Sequence, residues 1–304
     1  MGVAIVFPGQ GTQFARMGQS WRATNSWEVV RRAEQALGQP LAPLLLEASD
    51  ETLRRTLEAQ LSVFLTSLMA WEAVKDELDV PVAFAGHSLG QVTALVASGA
   101  LSLEDGVRLA SERATATQAA ADRRPGRLAA LVGADLATAE AVCAGAAEAW
   151  VANDNAPGQI VVGGTPPGVE GATQRAHELG VRRVIPLNVG GAFHTPLMAD
   201  ARAAFEPVLA DTRFAAAVAP VVSNVDAGAY TDPSVWPVQL ADQLVSPVRW
   251  RPSLLTLSEL GTDSLVEVGP GNVLAGLARR TLPGIPVRNV ATPGDVTLLA
   301  QAAV

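Results

Sequence analysis

Cysteine and lysine are nearly missing from this chain: among 304 residues, Cys143 and Lys75 are the only examples. One cysteine cannot close a disulfide within the chain. It points to a reducing compartment, with Cys143 expected as a small buried hydrophobe of an amphipathic helix. Arginine therefore supplies nearly all of the 22 basic residues, against 30 acidic ones, and the formal net charge is −8. That balance offers nucleic acid no electrostatic footprint. The pairs Arg182-Arg183 and Arg279-Arg280 read as solvated surface charge, with a small acidic partner as the alternative. Long apolar runs are missing too, since no window approaches the roughly 20 apolar residues of a membrane span. Met1 to Phe7 has no basic leader and meets Pro8-Gly9 too early for a signal peptide, and Val6 stands where a myristoylation signal needs Ser or Thr. A soluble cytoplasmic protein without a membrane partner is expected. Apolar residues are what the chain has in quantity: 49% hydrophobic against 17% charged, enough to bury one large domain, alone or with a smaller companion.

Strand-like and helix-like stretches alternate through most of the sequence, which predicts an α/β fold with a largely parallel sheet. Val3 to Phe7 is the first strand. Helices are expected at Ser26 to Leu37, Glu51 to Glu58 and Gln60 to Glu77, and a second strand over Val80 to Phe84. From about Arg127 to Val189 the rhythm becomes βαββαβ. Strands are expected at Leu128 to Val132, Trp150 to Asn153, Gln159 to Val162 and Arg182 to Leu187, with helices near Ala137 to Ala149 and Val169 to Leu179. That order is the ferredoxin-like split unit, and Arg123-Arg124-Pro125-Gly126 suits a linker into it. The sheet resumes with Val218 to Ser223 and Ser264 to Val268. The expected organisation is a discontinuous, hydrolase-like large domain over 1–126 and 190–304, with a small ferredoxin-like domain over 127–189 inserted. No internal repeat is visible.

Gly86-His87-Ser88-Leu89-Gly90 is a GxSxG pentapeptide between an apolar strand and a helical run. A serine in such a turn takes a strained backbone that flanking glycines tolerate, and its hydroxyl stands at the positive end of a helix. It is either a nucleophile or a helix cap. A nucleophile needs a base, and the chain holds only His87, His177 and His194. His87 adjoins Ser88 and should point away, and His177 lies in a polar helical stretch. His194, in Gly190-Gly191-Ala192-Phe193-His194-Thr195-Pro196, sits at a loop-to-helix junction, where it is a base or a structural histidine. Oxyanion donors are expected at the backbone N–H of Leu89 and in the Gly-rich loop Phe7 to Gln13. That loop fails as a dinucleotide fingerprint, since Phe14 stands at the third glycine position. Judged by its charged neighbours Arg108 and Glu112, Arg113 reads as a surface residue.

Five segments together carry a resemblance. Phe7 to Gln13, Gly86 to Gly90, Asn153-Asp154-Asn155-Ala156-Pro157-Gly158-Gln159, Ala192 to Met198 and Glu267-Val268-Gly269-Pro270-Gly271 resemble, in order and spacing, the malonyl-CoA:acyl carrier protein transacylases of the acyltransferase superfamily. The likeness covers nearly the whole chain. It implies Ser88 as the nucleophile that becomes malonylated and His194 as its general base and acid. Gln10 and Leu89 are implied as the oxyanion hole, the Gln243 main-chain carbonyl as the group orienting His194, and Arg113 as the grip on the substrate carboxylate. Leu89 and Phe193 match malonyl-selective members, and His87 and Asn155 are expected to line the pocket. Two departures stand out: Gln91 follows the elbow where the family usually has an acidic residue, and Gly190 replaces a more usual Ser. The implied activity is ping-pong transfer of a malonyl group from malonyl-CoA to the phosphopantetheine thiol of an acyl carrier protein. No bound cofactor or metal is expected, and the chain is expected to act as a monomer. The alternatives are an acyl hydrolase of a polyketide pathway and a non-catalytic assembly subunit that holds carrier proteins.

Overall fold

Side chains of successive strand residues point to opposite faces, and the apolar run Val3–Phe7 (β1) uses both. Ile5 and Phe7 enter one core, while Ala4 and Val6 enter another on the reverse side. Ala83–Gly86 (β2) repeats the pattern, with Phe84 on the first face and Ala83 and Ala85 on the second. A sheet covered on both sides needs near-continuous apolar strands, which is what parallel α/β sheets have. The computed structural model describes residues 2–302. Its larger sheet also contains Val221–Val222 (β7), Ala229–Tyr230 (β8), Ser264–Val268 (β9) and Val287–Val290 (β10), in the order β10-β9-β1-β2-β7-β8. All neighbours are parallel except β8, which returns antiparallel to β7. On one face lies the helix Thr56–Val74, buried around almost its whole circumference, with Trp71 packed edge-on against Phe7 and Phe84. The helices Trp250–Glu259 and Val273–Thr281 supply Trp250, Leu254, Leu257, Leu274 and Leu277 to the other.

The smaller sheet holds Arg127–Val132 (β3), Ala149–Ala156 (β4), Gln159–Gly164 (β5) and Arg183–Leu187 (β6), in the order β4-β5-β3-β6 with antiparallel neighbours throughout. This is the ferredoxin-like arrangement, and we take the stretch as the inserted unit. The helices Leu136–Ala144 and Pro166–Glu178 start at side-chain caps, Asp135 receiving the Thr138 N–H and Thr165 that of Gly168. They cover one face of this sheet around Leu131, Ile160 and Val162. The other face, with Leu128, Ala130, Ala152 and Val161, packs against Phe193. Strand β4 is tied to the segment around Val248 and Arg251 of the larger unit. The Val248 N–H donates to the Ala152 carbonyl and the Val248 carbonyl accepts the Asp154 N–H, both at 2.9 Å, while the largely buried Asp154 meets Arg251 with three contacts of 2.8–3.0 Å.

Several expected boundaries move. Glu51 to Glu58 is not one helix: a 3-10 turn at Thr52–Arg54 ends at extended Arg55, and Thr56 opens the long helix with its N–H on Gln118 of a distant segment. The second strand starts at Ala83 instead of Val80, which is exposed; Pro81 has no N–H, and pairing begins with the Val82 N–H on Val3. The expected helix to Ala149 ends at Ala144, ahead of Gly145. Strand β4 runs on to Ala156 through two irregularities in its register. The strand expected over Val218 to Ser223 shrinks to Val221–Val222, and β8 and β10 appear where none was expected. Cys143 is half-buried instead of buried, and its thiol is pushed up to about 11 by burial and by Glu140. Among the described residues no helix is long and apolar enough to cross a membrane.

Candidate active site

Ser88 follows the C-terminal end of β2, where open α/β sheets place their ligands. Its φ of 54° and ψ of −109° are strained for any residue with a Cβ. The turn closes this tightly only because its flanks are glycine: a Cβ on Gly86 would strike the Gly90 backbone, and one on Gly90 would strike the carbonyl of Phe7. Asn224, just past β7, holds the turn from the side. Its Oδ1 accepts the Ser88 N–H at 2.8 Å and its Nδ2 donates to the Gly86 carbonyl at 2.9 Å. The helix Leu89–Ala97 then leads away from the serine.

His194 reaches Ser88 from the loop that returns from the small sheet, and it too holds a positive φ, 61°. Its Nε2 lies 2.7 Å from Ser88 Oγ and its Nδ1 lies 2.8 Å from the main-chain oxygen of Gln243. A carbonyl only accepts, so the ring proton belongs on Nδ1 and Nε2 is the free base that receives the serine proton. Burial, then the charge of Arg113, hold the imidazole down at about 3, so it is neutral at ordinary pH.

Arg113 lies on the buried face of the helix Leu103–Arg123, only 4% exposed. Its Nη1 donates to Gln60 Oε1 at 2.6 Å, and its Nη2 to Ser88 Oγ at 2.9 Å and to Gln243 Oε1 at 3.1 Å. Among the described residues no carboxylate pairs with it, and its Nε has no partner. Burial lowers it to about 10, so it stays a cation.

Gln10, Ser88, Arg113, Phe193, His194 and Asn155 line a cavity of about 240 Å³ between the elbow and the small sheet. Among the described residues neither the Gln10 nor the Leu89 N–H is taken up by a backbone or side-chain acceptor. Of the two residues expected to govern selectivity, Phe193 lines the cavity, whereas the Leu89 side chain is fully buried in the main core and does not line it. His87 turns from the serine to donate from Nε2 to Asn155 Oδ1 at 2.9 Å, with Trp250 packed on its ring. Burial lowers its pKa. His177 is exposed, remote from the cavity, and bonded to the carbonyl of Val181. A side chain at Gly190 would meet nothing within 4 Å, so that departure is sterically free.

Four contributions escaped the sequence reading. Asn224 and Gln60 were not singled out, the Gln243 side chain adds to its carbonyl, and Gln91 closes the network. Gln91 Oε1 accepts the Asn224 N–H at 3.1 Å and Gln243 Nε2 at 2.7 Å, while Gln91 Nε2 has no partner. Gln60 did carry a signal, being the one amide among the buried positions of its helix, whose other buried polar side chains are the small hydroxyls Thr56, Ser62, Thr66 and Ser67. Asn224 carried a weaker one, following a strand that leads into the same end of the sheet.

Residues 4–295 match the acyl transferase domain. The chain belongs to the acyl transferase family. A malonyl CoA-acyl carrier protein transacylase of Bacillus subtilis is 36% identical over 305 residues, covering 98% of this acyltransferase and 96% of the relative. A solved malonyl-CoA:acyl carrier protein transacylase of Xanthomonas oryzae superposes with a TM-score of 0.94 at 36% identity, covering 99% of both chains. A malonyl-transacylase solved in complex with its type II PKS acyl-carrier protein gives a TM-score of 0.93 at 29% identity, covering 99% of this acyltransferase and all of that chain.

Proposed function

We propose that this acyltransferase moves a malonyl group from malonyl-CoA to the phosphopantetheine thiol of an acyl carrier protein through a malonyl-serine intermediate. The observation that carries the reading is Arg113: a buried guanidinium, without a carboxylate partner among the described residues, 2.9 Å from a serine that is hydrogen-bonded to a neutral histidine. A malonyl thioester differs from an acetyl thioester by a carboxylate, which a guanidinium holds through two parallel hydrogen bonds. In the first half-reaction Ser88 Oγ bonds to the thioester carbonyl carbon and His194 Nε2 takes the serine proton. The oxyanion forms toward the N–H groups of Gln10 and Leu89, a contact worth on the order of 10² to 10³ in rate. The C–S bond breaks, and CoA leaves with the proton that His194 returns. The carrier thiol then repeats the sequence on the malonyl ester, and Ser88 leaves with the proton. The Gln243 carbonyl keeps His194 in the required tautomer, and Phe193 narrows the space beside the acyl carbon against a 2-methyl branch. The reducing cytoplasm is the compartment that suits an unpaired Cys143.

Intact-mass measurement after mixing with malonyl-CoA tests the reading. A gain of one malonyl group is expected, lost in Ser88→Ala and discharged by carrier protein bearing phosphopantetheine. No adduct on the native protein rejects the transfer, and release of free malonate without carrier rejects the thiol as acceptor.

A further inference from the structure

Arg113 is set against the nucleophile as well as against the cavity. A guanidinium has no lone pair, so in its 2.9 Å contact with Ser88 Oγ the serine is the acceptor, while the serine proton goes to His194 at 2.7 Å. One of the two lone pairs with which the oxygen would attack is therefore held by a cation. The other partners of that cation are the amide oxygens of Gln60 and Gln243, which hold the planar fork in place without neutralising it. Of the charged and titratable groups facing His194, Arg113 and His87 both depress its basicity, after burial itself.

We propose that in the absence of substrate Arg113 restrains the Ser88–His194 pair, and that the carboxylate of the incoming acyl group releases it by drawing the guanidinium onto itself. The inference rests on reading Arg113 as the receptor of a substrate carboxylate. A bidentate carboxylate is held either across Nη1 and Nη2 or across Nε and Nη2. Both arrangements use Nη2, the nitrogen that Ser88 and Gln243 share in the resting site. Nη2 carries two N–H groups, one on Ser88 Oγ and one on Gln243 Oε1, and a carboxylate that takes the first removes the Nη2 contact from Ser88 Oγ. It also places a negative charge beside the cation, which restores basicity to His194. An acyl thioester lacking the carboxylate leaves the serine restrained. Discrimination then falls on the chemical step and is not confined to binding.

Inactivation by a neutral serine reagent, phenylmethanesulfonyl fluoride, reads this state without any acyl substrate. Ser88 Oγ bonds to sulfur, fluoride leaves, and the serine proton passes to His194. Arg113→Met, which keeps length but has neither charge nor donor, is expected to react about tenfold faster than the native protein, as befits loss of one charge-assisted hydrogen bond to the attacking oxygen. Formate, a carboxylate small enough to sit beside the serine, is expected to accelerate the native protein and leave Arg113→Met unchanged. A folded Arg113→Met that reacts no faster overturns the proposal. Should that variant not fold, a native rate indifferent to formate overturns it. Malonyl-adduct formation, measured separately by mass, distinguishes this failure from failure of the malonyl-transfer reading.

Discussion

Burial of His194 has a stability consequence that can be measured. The imidazole is held at about 3 in the folded protein, first by burial and then by Arg113, against roughly 6.5 in an unfolded chain. Between those values the unfolded chain binds the extra proton. Falling pH in that window therefore favours unfolding, and the contribution of the neutral imidazole is fully present only above about 6.5. At pH 5 the unfolded histidine is about 1.5 pH units below its midpoint, so the loss is about 2 kcal/mol at about 1.36 kcal/mol per unit. His194→Asn removes the titration, and asparagine is the side chain that best tolerates the φ of 61° at this position. Urea titrations at pH 7.5 and pH 5 supply the comparison. The native protein should lose about 2 kcal/mol more than the variant between the two conditions. His87, also buried with a lowered pKa, is present in both proteins and cancels. Equal losses in the two proteins would refute the argument and place a water or an anion close enough to stabilise the imidazolium.

Asn224→Ala leaves the Ser88 N–H without its acceptor and the Gly86 carbonyl without its donor, so stability should fall by about 2 kcal/mol and malonylation of Ser88 should slow in rapid-quench measurements. An undiminished rate would mean that the glycines alone hold the elbow. Asp154→Leu strands Arg251, whose side chain is 33% exposed; the expected loss is about 2 kcal/mol after discounting for that exposure, and Asp154→Leu with Arg251→Met should recover most of it in thermal melts. Phe193→Ala widens the cavity beside the acyl carbon, and competition assays should show use of methylmalonyl-CoA rising about tenfold relative to malonyl-CoA; an unchanged ratio would place selectivity elsewhere.

The elbow was legible because its signal is local: strand, glycine, serine, glycine and helix lie within a dozen consecutive residues and need no tertiary partner. β1 was legible for a similar reason, as an apolar run buried on both faces. β4 read short because Asp154 and Asn155, just beyond the expected end at Asn153, are polar, and the burial of Asp154 against Val248 and Arg251 depends on a segment about a hundred residues away. Arg113 looked like a surface residue from Arg108 and Glu112, which are indeed exposed. The helical period tells the other story: Gly106, Leu109, Ala110, Thr117 and Ala120 form a buried stripe that includes position 113, so a moment calculated on that helix would have turned the arginine inward. Gln60, Asn224 and the side chain of Gln243 come from three distant segments and share no spacing, which is why only the fold assembles them.

What that assembly contains is as informative as where it sits. Behind a catalytic histidine a carboxylate is the familiar support, since it stabilises the imidazolium. Here the support is the Gln243 carbonyl, and the surrounding polar groups are the amides of Gln60, Gln91, Asn224 and Gln243. Amides orient donors and acceptors without adding a formal charge. A carboxylate at that depth would pair with Arg113 through the low-dielectric interior and neutralise it before any substrate arrived. An uncharged support for His194 and an Arg113 without a carboxylate partner among the described residues are therefore two sides of one arrangement: stabilisation of the imidazolium is given up, and under the proposed function the buried cation is left for the acyl carboxylate.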